Sequence, residues 1–181
     1  MDTLVEAVSR LAGPVSEGTG ISICEVFSRP QGPVVVSLFG GDRQMLSGVA
    51  RRLCRAVGGP TSRSYHPPLA LVAFHHRRVG VDVEGVEETE VGFFEGIATP
   101  LERSRLALPP AGPQRDRFLI SLWSAKEAVA KTLGDALSYD PRRLDSPLVW
   151  EEVSPGLYRA GSAYAQSLPL GEGLVGWVCW S

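Results

Sequence analysis

Helix-like and strand-like segments alternate irregularly along the 181 residues, and this order limits the fold more than any other feature of the chain. Apolar residues recur at three- and four-residue steps where helices are predicted, whereas the strand-like runs are shorter and more uniformly apolar. The predicted helices cover residues 4–12, 42–57, 99–108 and 114–133. The predicted strands cover residues 20–27, 34–39, 69–74, 79–84, 148–153, 157–160 and 174–180. Helices that interrupt antiparallel strands indicate the α+β class.

Glycines, prolines and polar runs mark where these elements end. Thr3 should cap the first helix and Pro14 should stop it, while Gly134 should end the last helix. Residues 61–68 are polar and closed by prolines, so we expect a loop there. Residues 75–78 lie between two apolar runs and are expected to form the turn of a hairpin.

Composition excludes several classes of protein. Hydrophobic residues make up 44% and charged residues 21%, which is typical of a globular chain and not of a disordered tail. No apolar run approaches the ~20 residues of a membrane span, and the acidic N-terminus does not resemble a secretory signal. Three scattered cysteines argue against a disulfide framework or a zinc site and favour a reducing cytoplasm. A net charge of −2 argues against a general nucleic-acid surface.

Two acids stand two residues apart on one predicted strand. Asp82 and Glu84 leave the same face because side chains alternate along a strand, and Val81 and Val83 take the opposite face. Neighbouring carboxylates repel unless a cation lies between them, and hard oxygen ligands suit Mg²⁺. The residues alone leave two interpretations open: a magnesium site, or an exposed strand end with solvated acids.

The two lysines of the chain, Lys126 and Lys131, lie in one short segment of the longest predicted helix. All other basic side chains are arginines, and this preference indicates a GC-rich bacterial genome. Unlike arginine, lysine is a compact point charge that can give up a proton, so the segment indicates a need for ammonium groups. Glu127 shares a helix face with Lys131, although Glu–Lys pairs at this spacing also support many solvated helices.

Together, V-G-V-D-V-E at residues 79–84 and W-S-A-K-E-A-V-A-K at residues 123–131 resemble the paired signature of the 4′-phosphopantetheinyl transferase superfamily. That signature reads G-x-D-x-E followed by W-x-x-K-E-x-x-x-K. Weaker similarities are the Asp-Arg start of an Arg-rich helix at Asp42, the F-F…E-x-x-R stretch within residues 93–103, and the L-S turn after Gly134. The resemblance extends over roughly residues 42–145.

The resemblance implies a fold of two similar α/β halves related by pseudo-twofold symmetry, with antiparallel strands and a long helix in each half. We place the N-terminal half at residues 1–78 and the C-terminal half at residues 79–181, with the active site between them. The chain length favours a compact single-chain member of the surfactin type, which we expect to be a monomer.

The resemblance also implies an enzyme that transfers the 4′-phosphopantetheine arm of coenzyme A to a serine of an apo acyl or peptidyl carrier protein and releases 3′,5′-ADP. Asp82, Glu84 and Glu127 are then the Mg²⁺ ligands. Glu127 is also expected to accept the serine proton, while Lys126 and Lys131 hold the phosphate and Lys131 stabilises the leaving oxygen. The carrier is expected to serve polyketide or nonribosomal peptide biosynthesis.

A second group of residues is expected to contact coenzyme A, on the same resemblance. It comprises Arg43, Arg63, Ser64, Tyr65 and His66. The family has a Ser-His pair shortly before the acidic strand, and counting back from Asp82 puts its histidine at Tyr65, with His66 one residue later. The sequence leaves the choice between these two residues open.

Two other functions remain open at this point. The altered segment around Tyr65 fits a repurposed relative that does other chemistry on a carrier-linked or coenzyme A-linked intermediate. A non-catalytic module that binds carrier proteins is the third hypothesis. Neither nucleic acid nor a membrane is an expected partner.

Overall fold

A computed structural model describes residues 3–181, and within that range it contains five α-helices and nine β-strands. The helices are α1 (Leu4–Ser16), α2 (Arg43–Val57), α3 (Phe93–Ile97), α4 (Pro100–Arg105) and α5 (Pro113–Leu133). The strands are β1 (Ser22–Ser28), β2 (Val34–Phe39), β3 (Thr61–His66), β4 (Leu69–Phe74), β5 (Val79–Gly85), β6 (Glu151–Ser154), β7 (Leu157–Ala160), β8 (Ala163–Ser167) and β9 (Leu174–Trp180). No helix in this range combines the length and the apolarity that crossing a membrane requires.

The strands form two antiparallel sheets. The first has the order β1-β2-β4-β3 and the second the order β5-β9-β8-β7-β6. The predicted α+β class is therefore confirmed. The chain passes from the first sheet to the second between Phe74 and Val79. The division into halves at residue 78 stays a prediction.

Helices α1 and α2 pack on one face of the first sheet. The side chain of Asp42 accepts a hydrogen bond from the Met45 amide and so caps α2. The apolar stripe of α2, which includes Leu46 and Leu53, lies in one core cluster with Val36 and Phe74 of the sheet. This burial of one helix face fits the three- and four-residue spacing that predicted α2.

The two sheets pack on each other, and α5 covers the second. Val81 and Val83 of β5 share a core cluster with Val35 and Leu71 of the first sheet, as the alternation along this strand predicted. Gly80, on the opposite face of β5, lies directly under α5. A Cβ atom added at Gly80 would lie 2.0 Å from the carbonyl oxygen of Ala128, so only glycine permits this close approach.

Replacing Gly80 with Ala should lower the free energy of unfolding by about 3 kcal/mol, because the added methyl group meets helix backbone that cannot rotate away. Denaturant unfolding of the variant measures the change. Gly96 is the matched control, since an added Cβ there meets no atom within 4 Å, and Gly96→Ala should change stability by less than about 1 kcal/mol. Equal effects of the two substitutions would contradict the close approach.

Three of the predicted local structures are wrong. Residues 61–68 are not a loop, because Thr61–His66 forms strand β3, whose buried side chains include the hydroxyls of Ser62 and Ser64 instead of apolar groups. Strands β4 and β5 do not form a hairpin, because β4 is already paired on both sides by β2 and β3 and has no free edge for β5. Helix α1 continues past Pro14 to Ser16.

The remaining differences concern short elements. Helix α3 and strand β8 were not predicted, and the helix predicted at 99–108 ends at Arg105. The predicted strand 148–153 is divided, since Pro147–Val149 forms a 3-10 turn and β6 begins at Glu151. Each of these elements spans six residues or fewer, too short for a hydrophobic period to be read with certainty.

Candidate functional site

Strands β3 and β5 bring the first predicted site residues together across the junction between the sheets. The Ser62 hydroxyl accepts a hydrogen bond from the Val81 amide at 3.0 Å, and the Ser64 hydroxyl donates to Oδ1 of Asp82 at 2.9 Å. His66 lies on the same face of β3, and its ring fills the space beside Gly85 at the end of β5. Alternate side chains of β3 therefore line the acidic strand.

Asp82 is the most buried member of the predicted site. The residue is 2% exposed, and Oδ1 pairs with Nζ of Lys131 at 2.6 Å. Lys131 also donates to the Val81 carbonyl oxygen at 3.2 Å and keeps 21% of its side chain exposed. Oδ2 of Asp82 is buried and has no hydrogen-bond partner among the described residues. A buried carboxylate oxygen in that state calls for a cation or a donor.

Glu84 follows Asp82 on the same face of β5, and its pKa is raised to about 7. Burial is the largest cause, and repulsion by the Asp82 carboxylate is the next. Lys131 and a hydrogen bond from the Trp123 side chain act in the opposite direction, and the charge of Glu127 raises the pKa further. Glu84 thus responds to charges on β5 and on α5, and the Lys131–Asp82 pair at 2.6 Å joins the two sequence motifs directly.

Replacing Glu84 with Gln should stabilise the fold at about pH 8 and have little effect near pH 5. The folded pKa of about 7 lies above the ordinary value of 4.5, so the folded state binds more protons between these values. The wild-type chain therefore loses stability as the pH rises towards 8, and glutamine removes that loss because it does not ionise. Urea unfolding at both pH values measures the difference. The exposed Glu172 is the control, and Glu172→Gln should change the free energy of unfolding by less than about 0.5 kcal/mol in the same measurements.

Glu127 is held by a residue that the sequence analysis did not identify. The hydroxyl of Tyr139 donates a hydrogen bond to Oε1 of Glu127 at 2.7 Å. Burial and this bond to the carboxylate both raise the pKa of Tyr139, so the hydroxyl keeps its proton and remains a donor. Tyr139 follows the L-S turn after α5, and this turn is the one sequence signal that pointed to the segment.

The acidic residues have the chemistry of a magnesium site, although they are not arranged around one point. Within residues 3–181, no three His, Cys, Asp or Glu side chains are placed so that they could hold a metal ion. Nevertheless, Oδ2 of Asp82 lacks a partner among the described residues, and the charges of Asp82 and Glu127 both disfavour ionisation of Glu84. Clustered carboxylate oxygens, of which the single ammonium of Lys131 pairs with only one, fit a hard divalent cation such as Mg²⁺.

The residues predicted to contact coenzyme A divide between the two faces of β3. Ser64 and His66 face β5, as described above. Tyr65 faces the other way and packs against the core cluster beneath α2, with the Arg43 guanidinium 5.7 Å from its ring centroid. Arg63 lies on this second face and is exposed. Burial raises the pKa of Cys54 in α2, and the charge of Arg63 lowers it in part. Tyr65 and His66 thus have different surroundings and do not compete for one place.

Lys126 has partners inside the protein, and the phosphate-binding role predicted for it stays a prediction. Its side chain is completely buried, and Nζ donates to the carbonyl oxygens of Pro141 and Leu144 at 2.8 and 2.6 Å. Nζ also pairs with Oε2 of Glu102 at 2.7 Å. An ammonium group has three donors, and all three are used here. The helix places Lys126 about 100° from Glu127, which turns it away from Asp82 and into the protein.

Buried and partly buried carboxylates beside a partly exposed ammonium define a class of site suited to a phosphate-bearing substrate. The comparisons with known proteins narrow this class. The family model described as the 4′-phosphopantetheinyl transferase superfamily matches residues 78–167, a range that contains Asp82, Glu84, Glu127 and Lys131. No curated protein matches the chain.

The chain belongs to the 4′-phosphopantetheinyl transferase superfamily. The expectation taken from the two motifs is therefore confirmed at the level of the superfamily. The general activity is phosphopantetheinyl transfer, and coenzyme A is the substrate that this family uses. The matched range excludes Arg43, Arg63, Ser64, Tyr65 and His66, so their roles rest on the geometry described above.

Proposed function

We propose that the chain transfers the 4′-phosphopantetheine arm of coenzyme A to a serine of an apo acyl or peptidyl carrier protein and releases 3′,5′-ADP. The observation that carries this proposal is Asp82. It is buried on β5, is bound by Lys131 from α5 and by Ser64 from β3, and keeps one oxygen without a partner among the described residues. Both motifs that gave the resemblance supply this cluster.

Coenzyme A binding is assigned to the groups around β3. Arg43 and Arg63 are exposed cations near Tyr65, and they suit the phosphate groups of the nucleotide part. His66 and Lys131 lie at the β5 side of the strand, nearer to Asp82, and they suit the pyrophosphate. Tyr65 contributes its ring and a hydroxyl but no cationic group, so the place of the family's histidine is taken either by Tyr65 without that cation or by His66 on the other face of β3.

Asp82, Glu84 and Glu127 are the residues that would hold Mg²⁺, because Oδ2 of Asp82 is buried without a partner among the described residues and the charges of Asp82 and Glu127 both act on Glu84. When bound, the ion supplies Lewis-acid stabilisation of charge on the pyrophosphate. Lys131 neutralises part of the buried charge by pairing with Asp82, and its side chain is partly exposed, which supports a role in phosphate binding.

The reaction itself requires one bond to form and one to break. The serine oxygen of the carrier attacks the phosphorus that bears pantetheine, and the bond to the bridging oxygen of the pyrophosphate breaks. Glu127 is the side chain assigned to accept the serine proton, because it is held in one orientation by Tyr139. Lys131 stabilises the charge on the leaving oxygen with its ammonium group.

Incubating the chain with coenzyme A, Mg²⁺ and purified apo carrier proteins tests the proposal. Intact-mass spectrometry should show the gain of one phosphopantetheine arm, and replacement of the acceptor serine by alanine should abolish it. Carriers from polyketide and nonribosomal peptide systems are the first to try, since we place the chain in the cytoplasm of a bacterium that makes such products. No gain on a panel that a reference transferase modifies would contradict the proposal.

The proposal also covers the subtype, the assembly and the compartment. We assign the chain to the surfactin type as a monomer, with residues 1–78 and 79–181 forming the two halves. The change from one sheet to the other near residue 78 supports this division. The three cysteines are free, which supports a reducing compartment. Sedimentation of the purified chain measures its oligomeric state.

A further inference from the structure

The segment after α5 returns along the helix and brings Tyr139 to Glu127. Gly134 ends the helix, and the amides of Ser138 and Tyr139 both bond the Asp135 carbonyl oxygen in a tight turn. Leu137, at the tip of this turn, is fully exposed. The turn by itself does not determine where the Tyr139 hydroxyl lies, because no apolar contact holds its tip.

A buried ion pair holds the same segment from its other end. Lys126 donates to the carbonyl oxygens of Pro141 and Leu144, and Glu102 accepts a hydrogen bond from the Ser146 amide at 2.7 Å. Lys126 and Glu102 are each completely buried and are paired with each other. The backbone between residues 141 and 146 is therefore attached to both α4 and α5 by charge-assisted hydrogen bonds, which are the stronger kind.

Two neighbouring residues of α5 thus act on one segment. Lys126 holds the backbone of the segment by donating to the Pro141 carbonyl oxygen inside the protein. Glu127 accepts a hydrogen bond from the Tyr139 hydroxyl of the same segment at the site. The hydroxyl donates to Oε1 of Glu127 and so restricts the rotation of the carboxylate. A carboxylate that must meet a metal ion and a serine hydroxyl gains from having its rotation fixed before they bind.

We propose that Tyr139 is a positioning residue, whose hydroxyl orients the Glu127 carboxylate and whose place is set by the buried Lys126–Glu102 pair. This inference rests on the proposed function, because it assigns Glu127 to metal binding and proton transfer. In this inference Lys126 holds the segment that carries Tyr139, instead of binding phosphate as the motif predicts.

Tyr139→Phe tests the proposal, since it removes the hydroxyl and keeps the ring. Mn²⁺ serves as the probe for the metal, and its binding is followed by electron paramagnetic resonance. We expect the Mn²⁺ affinity and kcat each to fall about tenfold, in the range found when a partner of a metal ligand is removed, while KM for coenzyme A changes less than about twofold. The control is Tyr158→Phe, which also removes a tyrosine hydroxyl and keeps the ring. The Tyr158 ring packs on Trp177, with ring centroids 5.8 Å apart, and this packing does not need the hydroxyl.

The outcomes separate this inference from the proposed function. A Tyr139→Phe chain with the Mn²⁺ affinity and kcat of Tyr158→Phe would overturn the inference, even where the wild-type chain modifies carriers. A wild-type chain that binds Mn²⁺ and transfers nothing would contradict the proposed function alone, and the Mn²⁺ affinities would still decide the role of Tyr139. A wild-type chain that binds no Mn²⁺ would overturn the inference.

Discussion

Replacing Asp82 with Asn should lower the rate of carrier modification by at least about a hundredfold and leave the chain folded. Asparagine keeps the size of the side chain and an oxygen that can accept from Ser64, but it removes the charge that pairs with Lys131 and that would hold Mg²⁺. Stabilisation of pyrophosphate charge by a metal ion contributes several kcal/mol, and each 1.36 kcal/mol corresponds to about a factor of ten in rate. Mass spectrometry of the carrier against time measures the rate, and circular dichroism checks the fold.

Glu151→Gln is the control for this substitution. Glu151 is a surface carboxylate paired with Arg159 at 2.7 Å, so its loss removes a charge of the same sign without touching the site. Its rate should stay within about twofold of wild type, because an exposed ion pair contributes little. A folded Asp82→Asn chain with wild-type rate at every Mg²⁺ concentration would show that the acidic cluster does not bind a catalytic metal.

Lys126→Met should lower the free energy of unfolding by about 3–5 kcal/mol, the second large effect that we expect. The substitution removes the ammonium and leaves the Glu102 carboxylate buried without its cation, together with the carbonyl oxygens of Pro141 and Leu144. Urea unfolding followed by tryptophan fluorescence measures the change. The sequence-based assignment of Lys126 to phosphate binding predicts a different result, in which stability is unchanged and coenzyme A binding is lost.

The double variant Lys126→Met with Glu102→Gln distinguishes these results. It removes both charges, while the new amide side chain on α4 retains an oxygen that can accept from the backbone. Part of the lost stability should return, because the uncompensated buried charge is gone, while the carbonyl oxygens of Pro141 and Leu144 stay without the ammonium donor. A Lys126→Met chain as stable as wild type, or a double variant less stable than Lys126→Met, would contradict the structural role of this pair.

Local patterns were sufficient to predict the elements whose conformation depends on residues close to each other in the sequence. The alternation in residues 79–84 predicted which side chains of β5 enter the core, because this pattern depends on strand geometry alone. Helix α5 and its end at Gly134 followed from the spacing of apolar residues and from the freedom of glycine to adopt the left-handed conformation. The presence of both motifs in this order was sufficient to predict the superfamily.

Contacts between distant segments decided the rest. Strand β3 escaped prediction because its buried side chains are serines, whose partners on β5 lie 18 and 19 residues away. Lys126 and Lys131 look alike in the sequence, yet one is buried against Glu102 and the other is partly exposed beside Asp82. The sequence by itself determined which chemical groups the chain carries and placed the two signature motifs on β5 and α5. Only the tertiary structure decided which of them reach the site, because burial and charge pairing depend on where the folded chain places each partner.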